Sequence, residues 1–148
     1  MPSMDQYEIS TERSRLDVGL IHNFLHSSYW ARGIPRTVVE KSIEHSLCFG
    51  AFLGNQQVGF ARAVTDYSTF AYIGDVFVLT EHRGRGVSKL LMRAIVAHPE
   101  LQGLRRLLLA TKDAHGVYSQ FGFQPLDHPE HFMTIHHPGV YELGEKSA

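Results

Sequence analysis

Apolar residues in the first third of the chain recur at helical spacing after one short strand-like run. Tyr7–Ser10 is predicted to form a strand. Thr11–Ser28 is predicted to form a helix, because its apolar residues fall every three or four positions and so share one face. A second amphipathic helix is predicted over Arg36–Ser46, where Pro35 precedes the first turn and its missing N–H is harmless.

The middle of the chain has the pattern of three strands followed by a helix. Leu47–Leu53 and Gln57–Ala63 flank a short turn that contains glycine and asparagine, which is typical of a hairpin. Thr69–Leu79 is the most strand-like run, and Gly74 inside it indicates a bulge or a close backbone approach. From Gly86 to Ala97 the apolar period becomes helical.

Four shorter elements are predicted in the last third. Arg105–Thr111 is predicted to be a strand, and Ala114–Phe121 a short helix that ends at Gly122. Phe123–Leu126 and His131–His136 are predicted to be the last two strands. The complete order is βααβββαβαββ, which predicts an α/β fold with a mixed sheet and helices on its faces.

Length and composition fit one ordinary globular domain spanning residues 1–148. Hydrophobic residues make up 43% and charged residues 20% of the chain, which excludes a disordered or collagen-like protein. The formal net charge of −1 removes the electrostatic signature of a general nucleic-acid binder. No apolar run approaches the ~20 residues that span a bilayer, and no secretory signal pattern is present, so we expect a cytoplasmic protein without a membrane partner.

A basic, glycine-containing loop joins a buried strand to the start of an amphipathic helix. The loop ends in Arg83-Gly84-Arg85-Gly86, and Val87-Ser88-Lys89 opens the helix. Free N–H groups at a helix start bind anions, and two glycines let the backbone approach a phosphate without a Cβ in the way. The two arginines and the lysine add full positive charges. The segment therefore favours a diphosphate ligand.

Two common diphosphate motifs do not match this loop. The Walker pattern is absent, which argues against a P-loop nucleotide hydrolase. The dinucleotide fingerprint fails because Lys89 stands where its third glycine belongs. A basic loop without any ligand stays open as the alternative.

The run Arg83-Gly84-Arg85-Gly86-Val87-Ser88 resembles the Q/R-x-x-G-x-G/A signature of the GNAT superfamily of N-acetyltransferases, with serine where the family usually has glycine or alanine. Downstream, Tyr118-Ser119-Gln120-Phe121-Gly122-Phe123 is similar to the family's Y-x-x-x-G-F motif. The resemblance covers most of the chain in element order as well as in motifs. It implies a mixed, mostly antiparallel central sheet with flanking helices.

The resemblance implies that acetyl-coenzyme A is the co-substrate. The residues that it assigns to cofactor binding are Val76, Phe77, Val78, Arg83, Gly84, Arg85, Gly86, Val87, Ser88 and Thr111. The strand residues would hold the pantetheine arm through the main chain, and the loop would hold the pyrophosphate. Thr111 departs from the family, whose members often have an asparagine at that place.

Acetyl transfer to an amine needs a proton acceptor, because an amine with a pKa of about 10.4 is almost wholly protonated at pH 7. Asp75 is the first candidate for this base, since burial in an apolar strand could raise its pKa. A hydrogen-bonded structural carboxylate is the alternative. The other candidate bases are Asp66, Glu81, Asp113 and His115.

Tyr118 matches the residue that acts as general acid toward the leaving thiolate in many family members. A tyrosine that packs and hydrogen-bonds the sulfur without transferring its proton is the alternative. Cys48, the only cysteine, is expected to be an inert strand residue rather than an acetyl carrier.

Tyr29 and Trp30 are candidates for holding the acceptor amine by stacking, with core packing as the alternative. The chain has ten histidines, which raises the question of a metal site. His131 and His136 would face opposite sides of a strand, and no carboxylate has matching spacing. We therefore expect no metal.

These features predict an N-acetyltransferase that moves an acetyl group from acetyl-coenzyme A to a primary amine by direct attack, with a small molecule as acceptor. Two alternatives stay open: a non-catalytic coenzyme A-binding module, and a protein N-terminal or lysine acetyltransferase. A longer acyl donor is not excluded by the residues. The resemblance also allows a homodimer.

Overall fold

This computed structural model describes residues 3–142, which begin with a strand and two α-helices, continue with three strands and a helix, and go on to a further strand and a short helix. The strands are β1 (Tyr7–Ser10), β2 (Leu47–Leu53), β3 (Gln56–Thr65), β4 (Phe70–Val78) and β5 (Arg106–Leu109). The α-helices are α1 (Val18–His26), α2 (Arg36–Glu44), α3 (Val87–Ala97) and α4 (His115–Ser119). Within this range no helix has both the length and the apolar character to cross a membrane. Residues 1–2 and 143–148 of the predicted domain lie outside the described range.

The five strands form one sheet in the order β1-β2-β3-β4-β5. The first three pairings are antiparallel, and β5 runs parallel to β4. A parallel neighbour needs a crossover connection, which α3 supplies between β4 and β5. The prediction of a mixed, mostly antiparallel sheet with flanking helices is confirmed.

Each face of the sheet has its own hydrophobic core. Along β2, Phe49 and Ala51 contribute to the core that α3 covers, whereas Cys48 contributes to the core that α1 and α2 cover. This alternation is the two-residue period of a strand. Because both faces are covered, the five inner residues of β2 are all buried, and the strand is apolar throughout.

The first predicted helix is divided in the structure. Thr11–Ser28 contains a 3₁₀ turn at Arg13–Arg15 and then α1. Asp17 separates them, because its carboxylate accepts the N–H of Leu20 at 3.1 Å and so caps α1. The N–H of Asp17 is itself donated to the amide oxygen of buried Gln57, 2.7 Å away. The helix therefore begins where the chain is tied to β3.

The prediction of two C-terminal strands is wrong. Neither Phe123–Leu126 nor His131–His136 pairs with the sheet. Pro125 in the first run has no N–H to donate, and a 3₁₀ turn at Pro129–His131 takes the start of the second. Residues 131–138 are all exposed, so no core holds an apolar face of this segment. In the described part of the chain, β5 is consequently the last strand.

Cys48 generates a prediction about alkaline stability. Burial is the main cause that raises the pKa of its thiol from 9.0 to about 11. The unfolded chain therefore ionises this thiol near pH 9, whereas the folded chain keeps it neutral, so rising pH favours the unfolded form. We expect Cys48 to remove about 2 to 3 kcal/mol from the free energy of unfolding between pH 9 and pH 11.

Urea unfolding at pH 8, 9, 10 and 11 checks this, with Cys48→Ala as the comparison. Lysines and tyrosines titrate in both proteins, so the difference between the two pH profiles isolates the thiol. The variant starts less stable because it loses buried volume, but its stability should decline less steeply above pH 9. Parallel stability profiles of the two proteins would contradict the raised pKa of the Cys48 thiol.

Candidate active site

A β-bulge in β4 creates the opening around which the candidate site is built. Phe77 pairs with Phe60 and Gly74 pairs with Arg62, so Asp75 and Val76 together stand opposite a single residue of β3. Asp75 has a φ of 54°, in the left-handed region that non-glycine residues rarely adopt. The bulge bends the strand at this point and re-aims the side chains that follow.

The pairing between β4 and β5 ends before the bulge. β5 pairs only with Phe70–Ile73, although β4 continues to Val78. Beyond Ile73, no strand of the described chain adjoins β4 on the β5 side. The second half of β4 therefore borders an open cleft, with its backbone accessible from that side.

The side chain of Asp75 is held by two donors. The indole Nε1 of Trp30 donates to Asp75 Oδ1 at 2.9 Å, and Arg62 Nε donates to Asp75 Oδ2 at 2.9 Å. Arg62 also donates from Nη1 to the hydroxyl of Ser46 at 3.0 Å. Both carboxylate oxygens are thus engaged, and the network ties the loop after α1 to the centre of the sheet.

The predicted phosphate loop has the geometry of an anion cradle. Gly84 and Gly86 have φ values of 77° and 84°, which L-residues with a Cβ adopt only with strain. Gly86 is the N-cap of α3, and no side chain caps that end. The first N–H groups of the helix therefore have no intrahelical partner and lie at the positive end of its dipole.

Two contacts that the sequence did not reveal fix this loop. Arg83 Nε donates to the carbonyl of Val78 at 2.9 Å, which binds the loop back onto β4. The hydroxyl of Tyr7 and Nδ1 of His82 lie 2.8 Å apart in a hydrogen bond that reaches β1. Tyr7 and His82 are 75 residues apart, so no local pattern could have paired them.

A cleft of about 340 Å³ lies between the second half of β4, the loop and α4. Eight of the ten predicted cofactor residues line it, namely Val76, Phe77, Val78, Arg83, Gly84, Gly86, Val87 and Ser88. Arg85 and Thr111 are not among the lining residues. The Thr111 hydroxyl instead accepts the N–H of Ala114 at 3.1 Å, just before α4 begins.

A second cleft, of about 480 Å³, adjoins the first on the far side of the bulge. Its lining includes the predicted acceptor residues Tyr29 and Trp30, and also Asp75 and Asp113. Tyr29 is 63% exposed, so it is not a core residue. The ammonium nitrogen of Lys112 lies 4.9 Å from the centre of the Tyr29 ring, in a cation–π contact. An aromatic surface that accepts a cation is therefore already in place.

Tyr118 lines both clefts. Burial, together with the neighbouring Tyr29 and Asp113, raises the pKa of its phenol above the ordinary value of 10.0. The phenol is consequently neutral near pH 7 and carries a proton that it can donate. The ring packs against the core on the α3 face and edge-to-face against Phe123.

Asp66, another candidate base, has a structural role at the β3–β4 turn. Its carboxylate accepts the N–H groups of Ser68, Thr69 and Phe70, and these bonds hold its pKa well below the usual range. An ion this stable at neutral pH is a weak proton acceptor. Asp66 therefore serves to stabilise the β3–β4 turn and not to accept the proton of the amine.

Three side chains of the types that bind metal ions lie close together, away from the two clefts. His128, Glu130 and His131 bring one ligand atom each to within 4.8 Å of one another, and all three are exposed. His128 and Glu130 come together with His131 through the 3₁₀ turn at Pro129–His131, so the strand spacing of the histidines from 131 onward gives no sign of this grouping. The residues belong to neither cleft.

A family profile and a known relative both match this chain to acetyltransferases. The profile described as the acetyltransferase (GNAT) family matches residues 20–123. A protein of Gibberella zeae named as a candidate acetyltransferase is 31% identical over 137 residues, covering 77% of this chain and 76% of that protein.

Solved structures agree with the sequence relatives. A candidate GNAT-family acetyltransferase of Xanthomonas campestris pv. campestris is 55% identical, with a TM-score of 0.90, and the match covers 95% of this chain and 98% of that one. A candidate acetyltransferase of Clostridium acetobutylicum, solved with acetyl-CoA, shares the fold at 15% identity and a TM-score of 0.63, covering 88% of this chain and 94% of that one.

The Arg62–Asp75 pair generates a stability prediction. Arg62→Met leaves the Asp75 carboxylate without its cation, although the Asp75 side chain is only 12% exposed. We expect the free energy of unfolding to fall by about 1 to 3 kcal/mol. Arg36→Met is the matched control, because both side chains of the Arg36–Glu40 pair are about half exposed. Its loss should lower the free energy of unfolding by less than about 0.5 kcal/mol.

Urea unfolding measures both variants, and fluorescence of Trp30, the only tryptophan, reports whether the indole loses its place beside Asp75. Equal stability losses in the two variants, with unchanged fluorescence in Arg62→Met, would show that this network does not hold the bulge.

Proposed function

The chain belongs to the GNAT family of acetyltransferases, and on that premise we propose that it moves an acetyl group from acetyl-coenzyme A to a primary amine, with a small molecule as acceptor. The observation that carries this proposal is that Val76 and Tyr118 line both clefts. A donor in the first cleft and an acceptor in the second would meet at these two residues.

The first cleft fits the donor. GNAT acetyltransferases use acetyl-coenzyme A, which supplies the acetyl thioester when it is bound. The backbone N–H groups after Gly86 would hold the diphosphate, since the glycines leave the approach free of Cβ atoms. Val76, Phe77 and Val78 offer the main chain of a strand edge to the amide-containing arm.

The second cleft supports a small cationic acceptor. Its volume is within the range of small-molecule sites, and its rim combines the rings of Tyr29 and Trp30 with the carboxylate of Asp113. An alkylammonium group is attracted by both features, as the contact of Lys112 with Tyr29 illustrates. A protein N-terminus or lysine would need to enter the same opening and is the alternative acceptor.

Two residues compete for the role of base. Asp75 lies at the junction, but its oxygens already accept hydrogen bonds from Trp30 and Arg62. Because both oxygens are already engaged, the geometry supports the structural alternative for Asp75. Asp113 lies on the acceptor side without such a pair among the described contacts, and we propose that it receives the proton, directly or through water.

Tyr118 is proposed to donate a hydrogen bond, and transiently its proton, to the departing thiolate. Its raised pKa keeps the proton in place over the neutral range. A phenol whose pKa lies above that of a thiol, about 8.5, transfers its proton to the thiolate only at a cost in free energy. The hydrogen bond from Tyr118 therefore supplies part of the stabilisation of the leaving thiolate by itself.

Binding and turnover together separate the proposed enzyme from a coenzyme A-binding module. Calorimetric titration with acetyl-coenzyme A, with ATP and NAD as controls, tests the first cleft. Release of free thiol in the presence of a panel of small amines and of lysine-containing peptides tests the second. Tight binding without thiol release from any acceptor would favour the non-catalytic module.

Gly86→Glu should abolish acetyl-coenzyme A binding, with an affinity loss of at least about 100-fold, because it adds strain and negative charge at the anion cradle. Gly54→Glu is the matched control. Gly54 also has a positive φ, of 62°, and lies in the exposed β2–β3 turn with nothing within 4 Å of an added Cβ. Calorimetry should find its affinity unchanged, and equal losses in both variants would refute the loop assignment.

Tyr118→Phe should lower kcat roughly 100-fold while leaving the affinity for acetyl-coenzyme A within about twofold. The wild type should lose activity only as the pH rises above 10, because the raised pKa keeps the phenol protonated until then, and this alkaline decline should be absent from the variant.

Tyr67→Phe, in the exposed β3–β4 turn, is the control for removing a hydroxyl. Steady-state rates across the pH range measure all three proteins. A fall in kcat of only about tenfold would indicate a hydrogen bond without proton transfer. An unchanged kcat would remove Tyr118 from the mechanism.

A further inference from the structure

A tight turn after α4 brings two imidazoles and one carboxylate together. Pro129–His131 forms a 3₁₀ turn, which is closed by a hydrogen bond of 2.9 Å from the N–H of His131 to the carbonyl of His128. Pro129, the first residue of the turn, has its φ fixed by its own ring. The backbone of this turn therefore places His128, Glu130 and His131 side by side.

The side-chain atoms of the three residues are close to the spacing of ligands around one ion. Each residue brings a ligand atom to within 4.8 Å of the other two. His128 Nδ1 and Glu130 Oε1 are 3.2 Å apart, and the rings of His128 and His131 are nearly parallel, with centres 4.6 Å apart. Ligands on a tetrahedral zinc ion, with bonds of about 2.0 to 2.1 Å, are about 3.3 Å apart. One pair of atoms already has nearly this spacing.

The third ligand can reach this spacing by rotation about side-chain bonds. The side chains of His128 and Glu130 are 59% and 66% exposed, and His131 is exposed as well. Their rotation therefore leaves both hydrophobic cores undisturbed. The strand spacing that argued against a metal site concerns His131 and His136, and it does not apply to a grouping made by a turn.

The donor atoms indicate which class of ion fits. Two imidazoles and one carboxylate occur together in zinc sites, where water takes the remaining position. Mg²⁺ and Ca²⁺ instead prefer sites made of oxygen ligands. We propose that His128, Glu130 and His131 bind one divalent transition-metal ion, with zinc as the best match, and that water completes its coordination.

The ion would stabilise the position of the segment that follows the turn. Phe132 comes directly after His131, and the guanidinium carbon of Arg106 lies 5.0 Å from the centre of the Phe132 ring. Arg106 is the first residue of β5, so the turn adjoins a contact with the sheet. An ion that binds only the folded turn favours this arrangement by mass action. The three ligands line neither cleft, and the proposal does not depend on acetyl transfer.

Calorimetric titration of the tag-free full chain with Zn²⁺ tests the site. We expect one ion per chain, with a Kd of about 10 μM or lower. His131→Ala should raise this Kd at least about 30-fold, and Glu130→Gln about tenfold, because each substitution removes one ligand. His45→Ala is the matched control, since it removes an exposed histidine at the end of α2, and its Kd should equal that of the wild type.

NMR of the imidazole groups locates the ion independently of its affinity. Zn²⁺ should shift the resonances of His128 and His131, while those of the neighbouring His22 and His26 rings on α1 should not move. Mg²⁺ should shift none of them. Circular dichroism should be the same for all variants, because the substituted side chains are exposed.

Four results would each overturn the proposal. They are no zinc binding at about 0.1 mM Zn²⁺, an unchanged Kd in His131→Ala, an equal loss of affinity in His45→Ala, and zinc-induced shifts at other histidines only.

Discussion

A left-handed residue in the middle of a central strand controls the geometry of this molecule. The backbone of Asp75 costs about 1 to 2 kcal/mol relative to an ordinary strand conformation. The ion pair with Arg62 and the hydrogen bond from Trp30 offset this cost and fix the bulge. From that point β4 leaves β5, and the two clefts open on either side. The two clefts are thus two consequences of one irregularity.

Aromatic residues behind the bulge pack against the strand segment that borders the opening. Phe24 of α1 stacks face to face on Phe77, with ring centres 4.0 Å apart, and Phe60 packs against the same ring. α1 is therefore coupled directly to the strand segment that lines the first cleft. Because Phe24 also contacts Trp30, the two clefts share one packed support.

Local patterns predicted most of the fold and most of the residues that line the first cleft. The glycine loop and the helix after it are contiguous in sequence, and Tyr118 lies in a short motif of its own, so both could be identified from neighbouring residues. The partners of Asp75 and His82 lie 13 to 75 residues away and leave no periodic signal. The C-terminal strands failed for a related reason. Alternating apolar residues around Met133 indicate a strand, but the 3₁₀ turn at Pro129–His131 takes its start and no core of the described chain covers its apolar side chains.

The N-terminal turn has a practical consequence for anyone who produces this protein. A Cβ on Gly86 would come within 2.8 Å of Met4 Cε, so the 3₁₀ turn at Met4–Gln6 lies directly against the glycine loop that begins α3. Tyr7 holds that turn in place through His82. A polyhistidine tag at the N-terminus would bring imidazole groups, which are partly protonated at pH 7, close in sequence to this loop. Ligand titrations are therefore best made after the tag has been cleaved.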